Sequence, residues 1–518
     1  MQLRRVVLLI LGVLFLMMSL QGARFFAAQH QHAGGAESMG GGHLGQVHFP
    51  TSCAPAVQAQ FEKGVALLHS FQYTAADQNF KAVAAADPSC AIAYWGQGMT
   101  LWHELWEHPD AASLSTGHEE LQKATGARTA RERAYIEAAN AFFQDDPQLD
   151  YKARATAYSD AMAKVHAGYL EDGDAAAFYA LSLIAIPAEG DADLANRKQA
   201  IAILDKLFAA EPDHPGAAHY LIHACDTPQL ASEGLDAARR YAKIAPDSSH
   251  ALHMPSHIFA RLGLWQEMID SNLAAEAAAA EATKAGLGDA HYQTHAMNFL
   301  QYAYLQTGQN DKAFALIDAL KDVPGISAAE AVDDQAIFQA RYALETHDWK
   351  MAAQLESTST LPVVWWARAI GAARAGDAAG AQADVAKLDQ ATSATRSKDA
   401  SGSNAFMKNQ QGYSGSDEKS INQLEADAWL DYAQGKPDDA ASTLRAAADR
   451  EDRDGVDSIS MPAREMLGDL LMEEKQPQAA LEAYRIALKE SPNRLDSKHG
   501  VSVAAQLAST QTTAGGSK

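Results

Sequence analysis

Residues 461–494 read MPAREMLGDLLMEEKQPQAALEAYRIALKESPNR. Counted from Met461, Gly468 stands at place 8, Leu471 at 11, Ala480 at 20, Tyr484 at 24, Ala487 at 27 and Pro492 at 32. The same spacing opens at Val57, where Gly64, Leu67, Ala76, Phe80 and Pro88 take places 8, 11, 20, 24 and 32. A step of 34 residues puts Gly98 and Leu101 at places 8 and 11 of the next unit and gives His69 and His103 a shared place 13. Shorter matches put Gly308/Ala313, Gly376/Ala381 and Gly435/Ala440 at places 15 and 20, and Gly500 follows the last full unit in register. From residue 51 on, Ala, Leu, Glu, Gln and Lys dominate with no run of alternating β-branched residues, so the body is expected to be all-α. A period of 34 residues marks a helix-turn-helix repeat.

These positions resemble the tetratricopeptide repeat, in which small residues at places 8 and 20 let two antiparallel helices approach and a late proline ends the second helix. The chain is similar to exported bacterial proteins of this kind over about residues 53–508, with a poor fit between 110 and 190. The resemblance implies a right-handed superhelical solenoid whose concave face binds an extended peptide or another protein. It says little about function beyond recognition.

The 518 residues are 47% hydrophobic and 21% charged, an ordinary globular composition, with a formal net charge of -23. That charge and the lack of a dense Lys/Arg patch argue against nucleic acid as a partner. Met-Gln-Leu-Arg-Arg followed by an apolar run from Val6 to Leu20 has the form of a secretory signal. Residues 1–28 are therefore expected to be a signal peptide, cut after Ala23 or Ala28, or an uncleaved N-terminal anchor that would be the only membrane contact. Periplasmic or secreted localisation follows.

Residues 29–50, rich in Gly and His, are expected to be a flexible linker in which His30, His32, His43 and His48 are solvated. Residues 51–390 form the N-terminal and central array, 391–419 a Ser/Gly/Asn-rich loop, 420–508 the C-terminal units and 509–518 a disordered tail. Within the poorly fitting stretch, Thr129 and Glu132 form a capping box that opens a helix to about Phe143. Residues 151–171 and 174–186 are expected as further helices. Cys53 and Cys90 precede the first helices of adjacent units and are candidates for a disulfide in an oxidising compartment. Cys225 is expected to be a small buried side chain.

Histidine carries the most specific functional signal. His219/His223, His253/His257 and His291/His295 are pairs four residues apart, and the first two pairs are 34 residues apart. Four residues is one helical turn, so each pair projects from one face, and a repeat step carries that face to the next unit. With Pro212 and Pro246 at place 32, both pairs fall at places 5 and 9, His250 at 2 and Asp226 at 12. In tetratricopeptide proteins these places line the concave groove. The next unit adds His295 at place 2, Asn298 at 5 and Tyr302 at 9, with His291 one turn ahead.

A pair of imidazoles one turn apart can chelate an ion, and a neighbouring helix can complete the shell. His219, His223, Asp226, His250, His253, His257, His291 and His295 are thus candidate ligands for Zn²⁺ or Cu²⁺, with Asp226 either a ligand or the acceptor that orients an imidazole. Neutral imidazoles also hydrogen-bond a peptide, so both readings stand. If the rings line an open groove, truncating His253 and His257 should leave stability nearly unchanged. Pro255, between those two residues, predicts a kink, or else a helix that starts late.

Other candidates are weaker. Tyr94, Trp95, Trp102 and Trp106, beside His103, Glu104 and His108, read as core rather than a binding platform. Glu465 and Asp469 at places 5 and 9 of the last unit would make an acidic groove stretch. No nucleophile elbow, phosphate loop, His-Glu-x-x-His or Cys-x-x-Cys motif is present. The expected function is an exported binding or scaffold protein with a His-rich central groove that binds a transition metal or a peptide. The alternatives are a metal-storage or delivery protein, or a metal-dependent hydrolase with Asp226 as base.

Overall fold

The ring of Phe80 lies between two glycines, and this contact shows how the repeats are assembled. A Cβ on Gly64, in the helix Gln58–His69, would come within 2.7 Å of that ring, and one on Gly96, in the helix Ala91–Met99, within 2.5 Å. Tyr484 repeats the arrangement at the other end of the chain, where added Cβ atoms on Gly468 and Gly500 would each approach its ring to 2.6 Å. Only glycine lets the aromatic residue of a second helix enter between the first helices of its own and the following unit. Gly98, expected to play that part in the second unit, instead faces Leu121 of its partner helix.

The computed structural model describes residues 42–105, 108–188, 190–399, 419–455 and 457–515. Among these residues the ordered structure is helical. Successive hairpins pair Gln58–His69 with Tyr73–Ala86, Ala91–Met99 with Ala111–Lys123, Ala130–Phe142 with Tyr151–Gly168, and Gly173–Ala185 with Gly190–Ala210. Pro215–Cys225 then pairs with Leu235–Ile244, the kinked helix Ser249–Arg261 with Trp265–Lys284, and Ala290–Gln306 with Asn310–Ala319. Ala328–Glu345/Trp349–Ala353, Pro362–Arg374/Ala378–Asp399, Ile421–Ala433/Pro437–Asp454 and Ala463–Glu473/Pro477–Glu490 follow, and Leu495–Gly515 closes the array. The protein is an all-α helix-turn-helix array. No helix among the described residues is long and apolar enough to cross a membrane.

Place 15 of the repeat is the left-handed residue that turns the first helix into the second. Gly263, Gly308, Gly376 and Gly435 have φ of +63°, +69°, +83° and +77° there, as helix C-terminal glycines should. Phe71, His347 and Lys475 take the same conformation without being glycine.

The poorly fitting stretch 110–190 consists of ordinary hairpins of unequal length. The capping box at Thr129 and Glu132 is present. Three boundaries are corrected. Residues 44–50 are not a free linker, because Leu44 and Phe49 are buried and the Gln46 amide donates to the Asp213 carbonyl at 2.9 Å. Two apolar side chains in a Gly/His-rich stretch suffice to dock it. The helix begun at Ala378 runs to Asp399, so the first part of the expected 391–419 loop is helical; 400–418 lie outside the described residues. The last helix extends to Gly515, beyond the end expected at 508. The expected signal segment 1–28, His30 and His32, Trp106 and residues 516–518 also fall outside them.

Chain ends and middle are tied together. Trp265 Nε1 donates to the Asn493 carbonyl at 3.1 Å, and Asn493 Nδ2 donates to the Gly263 carbonyl at 3.3 Å. Arg494, fully buried, reaches Glu345 at 2.9 Å and Glu465 at 2.6 Å and donates to the Tyr302 hydroxyl at 2.9 Å. The surroundings of Tyr302 are therefore filled by the C-terminal unit.

Candidate functional site

Pro215 starts the helix Pro215–Cys225 at its first position, where a proline costs no hydrogen bond, and His219 and His223 follow on one face. In the next unit the chain stays helical at Met254, with φ -53° and ψ -34°, so Ser249–His253 and Pro255–Arg261 form one helix kinked at Pro255. The kink keeps His250, His253 and His257 on the same side as the preceding pair. His295 comes from Ala290–Gln306.

The six imidazoles gather into two adjacent clusters, His219/His223/His250 and His253/His257/His295. In the first, the Nε2 atoms of His223 and His250 each lie 3.0 Å from His219 Nε2. His219 Nδ1 donates to the His69 backbone carbonyl at 2.6 Å, so its Nε2 carries a lone pair. In the second, His253 Nε2 and His257 Nε2 are 3.1 Å apart. Rings of the two clusters touch: His250 and His253 are 6.2 Å apart between centroids, and His223 and His257 6.3 Å.

The second cluster fixes its own protonation. His253 Nδ1 is 2.7 Å from Asn272 Oδ1, and Asn272 Nδ2 donates to the Met268 carbonyl at 2.9 Å, which sets the amide orientation and makes His253 Nδ1 the donor. His257 Nδ1 donates to Asp226 Oδ2 at 2.9 Å, and Arg261 holds Asp226 Oδ1 at 2.8 Å. Burial alone would raise the Asp226 carboxyl, but the Arg261 guanidinium and His257 overcome it and hold the group well below the carboxylate range. Asp226 is thus ionised, and with both Nδ1 atoms engaged as donors the Nε2 atoms of His253 and His257 face each other across 3.1 Å. Such an arrangement calls for a cation between them, either a proton or a metal ion. Burial pushes His253 well below its ordinary value, which works against a proton on that ring.

Burial likewise pushes His219 down to about 3 and His223, His250 and His295 well below the usual imidazole range. Neutral imidazole is the metal-binding form. Two nitrogens bound at about 2.0–2.1 Å lie roughly 2.9 Å apart at a right angle and 3.4 Å apart in a tetrahedron. The observed separations of 3.0–3.1 Å fit that range.

Other expectations change. His219, His250 and His253 are at most 2% exposed, so these rings do not line an open groove. His291 stacks on His295 with centroids 5.6 Å apart and lies outside both clusters. Asn298 and Tyr302 are buried rather than groove-lining: Asn298 accepts from Arg341, and the Tyr302 hydroxyl donates to the Ser460 carbonyl at 3.2 Å. Glu465 is consumed by Arg494, and Asp469 accepts from the Tyr484 hydroxyl at 2.7 Å, so no acidic groove forms there. Trp95 and Trp102 are core. Cys53 and Cys90 form a disulfide with their Cα atoms 4.8 Å apart. Cys225 is a buried free thiol, pushed up to about 12 by desolvation.

Sequence reasoning missed a third group, packed behind the first cluster. His69 Nε2 lies 2.8 Å from Asp174 Oδ1, His214 Nε2 lies 3.4 Å from the same oxygen, and the Tyr220 hydroxyl is 3.0 Å from His69 Nδ1. All four are buried. His214 also caps its helix by accepting from the Ala217 amide at 3.2 Å. His69 is hydrogen-bonded to Asp174 while His214 Nε2 only approaches the same oxygen, and the His69 carbonyl in turn orients His219. Place 13 of the first unit marked His69, but nothing in the spacing marked Asp174.

The fold and site together define an all-helical repeat array with six imidazoles in two triads on neighbouring units. No protein-family model matches the chain and no curated protein matches it significantly. Among solved structures, a monomeric IFIT1 mutant with Gppp-AAAA is similar over 85% of this chain and 95% of that one, at 13% identity and TM-score 0.37. Yeast Tom70 is similar over 88% and 96%, at 11% identity and TM-score 0.33. Cut9–Hcn1 of the APC/C is similar over 87% and 96%, at 9% identity and TM-score 0.31.

Proposed function

We propose that this chain is an exported helical-repeat protein that holds transition-metal ions in two three-imidazole sites, His219/His223/His250 and His253/His257/His295, for storage or delivery. The observation that carries the reading is that the Nε2 atoms of His253 and His257 face each other at 3.1 Å with both Nδ1 atoms committed elsewhere. Zn²⁺ and copper are the ions that imidazole sets suit. Asp226 acts in this reading as the acceptor that orients His257. A hydrolase would need Asp226 as general base, and its two oxygens are engaged by His257 and Arg261, which favours carriage over turnover.

The Cys53–Cys90 disulfide supports an oxidising compartment, periplasmic or secreted. A protein that donates or accepts the ion is the partner this role calls for, and a net charge of -23 disfavours nucleic acid. A peptide laid along the inner face would have to use residues other than Asn298 and Tyr302.

Elemental analysis of untagged full-length protein, purified without chelator, tests the reading. Zinc or copper retained in proportion to protein supports it, and loss of that metal in a His219→Ala, His257→Ala double variant that still folds assigns it to these sites. Protein free of both metals that also fails to take them up on addition refutes it.

A further inference from the structure

Phe71 is a turn residue whose side chain packs against the first imidazole cluster. It occupies place 15, where four other units use glycine, and its φ is +53°. A bulky side chain at positive φ is strained, and such strain persists only where the surroundings over-determine it. Here they do. The Phe71 amide donates to the Leu68 carbonyl at 3.0 Å, its carbonyl accepts from the Tyr292 hydroxyl at 2.6 Å, and the residue is 1% exposed. Its ring lies 4.4 Å from that of His219, 5.5 Å from His223 and 5.7 Å from His250. Tyr73 and Tyr220 back it at 5.5 and 5.8 Å.

Resting on the metal-binding reading above, we propose that His219, His223 and His250, with the ring of Phe71 packed against all three, form a largely buried seat for monovalent copper. Three points of chemistry select that ion. All three ligands are imidazoles, and no carboxylate belongs to this cluster. Because desolvation cost grows with the square of the charge, a monovalent ion bears about a quarter of the penalty of a divalent one in the same site. Zn²⁺ and Cu²⁺ seek a fourth ligand, normally water, and Phe71, edge-on to His219 and tilted against His223 and His250, fills one side of the cluster with apolar volume that offers an oxygen ligand no hydrogen bond. Filled-shell Cu⁺ accepts three nitrogens. In air, oxidation would pass one electron from Cu⁺ to dioxygen, leaving Cu²⁺ and superoxide, and the Phe71 ring opposes it by denying Cu²⁺ its added ligand.

The test uses the full chain carrying His257→Ala, which weakens the second site and leaves the first intact. Cu⁺ is supplied without oxygen and competed against a chromophoric Cu⁺ chelator; the sample is then opened to air and Cu²⁺ is followed by electron paramagnetic resonance. The expected result is one Cu⁺ per chain that stays spectroscopically silent in air. Adding Phe71→Gly, which suits the positive φ, or Phe71→Leu, which keeps an apolar cover without the aromatic face, should leave copper bound but speed its oxidation by about tenfold or more for the glycine variant. Phe71→Leu should fall between the two, so the outcome does not depend on one variant folding. Equal oxidation rates with and without Phe71, or preference for Zn²⁺ over Cu⁺, would overturn the proposal while leaving metal carriage intact. Absence of any metal uptake by the unmutated chain would instead defeat the carriage reading itself.

Discussion

His253 and His257 present their Nε2 atoms to each other at 3.1 Å while their Nδ1 atoms donate in different directions, to Asn272 and to Asp226. The metal-facing nitrogens are thus selected by residues outside the cluster. Removing a partner that orients a ligating histidine typically lowers metal affinity about 10–100-fold. Asn272→Leu is expected to weaken the second site by that factor and spare the first. Competition titration with a chelator reads both, and an unchanged second site would show that Asn272 does not orient His253.

The two histidines should differ in what they give to stability. His253→Ala strips a buried amide oxygen of its principal partner, at a cost of about 1–3 kcal/mol in metal-free protein. His257 is half-buried and Asp226 keeps Arg261, so His257→Ala is expected to cost less than about 1 kcal/mol. Urea unfolding of the two variants decides, and equal losses would contradict the assignment of burial.

Gly96→Ala places a methyl 2.5 Å from the Phe80 ring. Overpacking of this kind costs about 1–3 kcal/mol. The loss should be partly recovered by Phe80→Leu in the same chain, measured by thermal unfolding; strictly additive losses would mean that the ring and the glycine do not meet.

Arg494 is enclosed between two carboxylates, and removing one partner of such a group leaves uncompensated buried charge. Arg494→Met is expected to cost about 3–5 kcal/mol. Hydrogen exchange should quicken in the hairpin Ala463–Glu490, which Arg494 joins to Tyr302 and Glu345.

Glu104 supplies a pH dependence carried by a carboxyl. Burial pushes its carboxyl up from 4.5 to about 8, and its Oε2 accepts from the Tyr73 hydroxyl at 3.0 Å. A folded value above the unfolded one means that the contribution is complete below the ordinary carboxylate range and is lost as pH rises through about 8. Glu104→Gln, which stays neutral, should therefore flatten the fall in melting temperature between about pH 6 and about pH 9, by on the order of a degree or two. A parallel decline in both proteins would show that Glu104 does not titrate there.

Much of the fold was legible because the repeat repeats its packing. Glycine at place 8 and an aromatic at place 24 recur at Gly64/Phe80 and Gly468/Tyr484, and the structure joins each pair through ring contact. The i, i+4 histidines were legible for the same reason, since helix periodicity and repeat length are both properties of sequence spacing. What spacing missed is lateral or long-range. Asn272 lies on the second helix of its hairpin, Phe71 in a turn more than a hundred residues from the imidazoles it covers, and Asp174 in a stretch with no clear repeat register.

The sequence by itself determined that this chain is a helical array and that imidazoles would share one face, because both depend on local geometry repeated at a fixed period. Only the tertiary structure decided that His219, His250 and His253 are buried, that the imidazoles divide into two triads, and that Arg494 and its unit close around Tyr302. Burial and tautomer depend on which distant groups close over a ring, and no spacing along one chain encodes that.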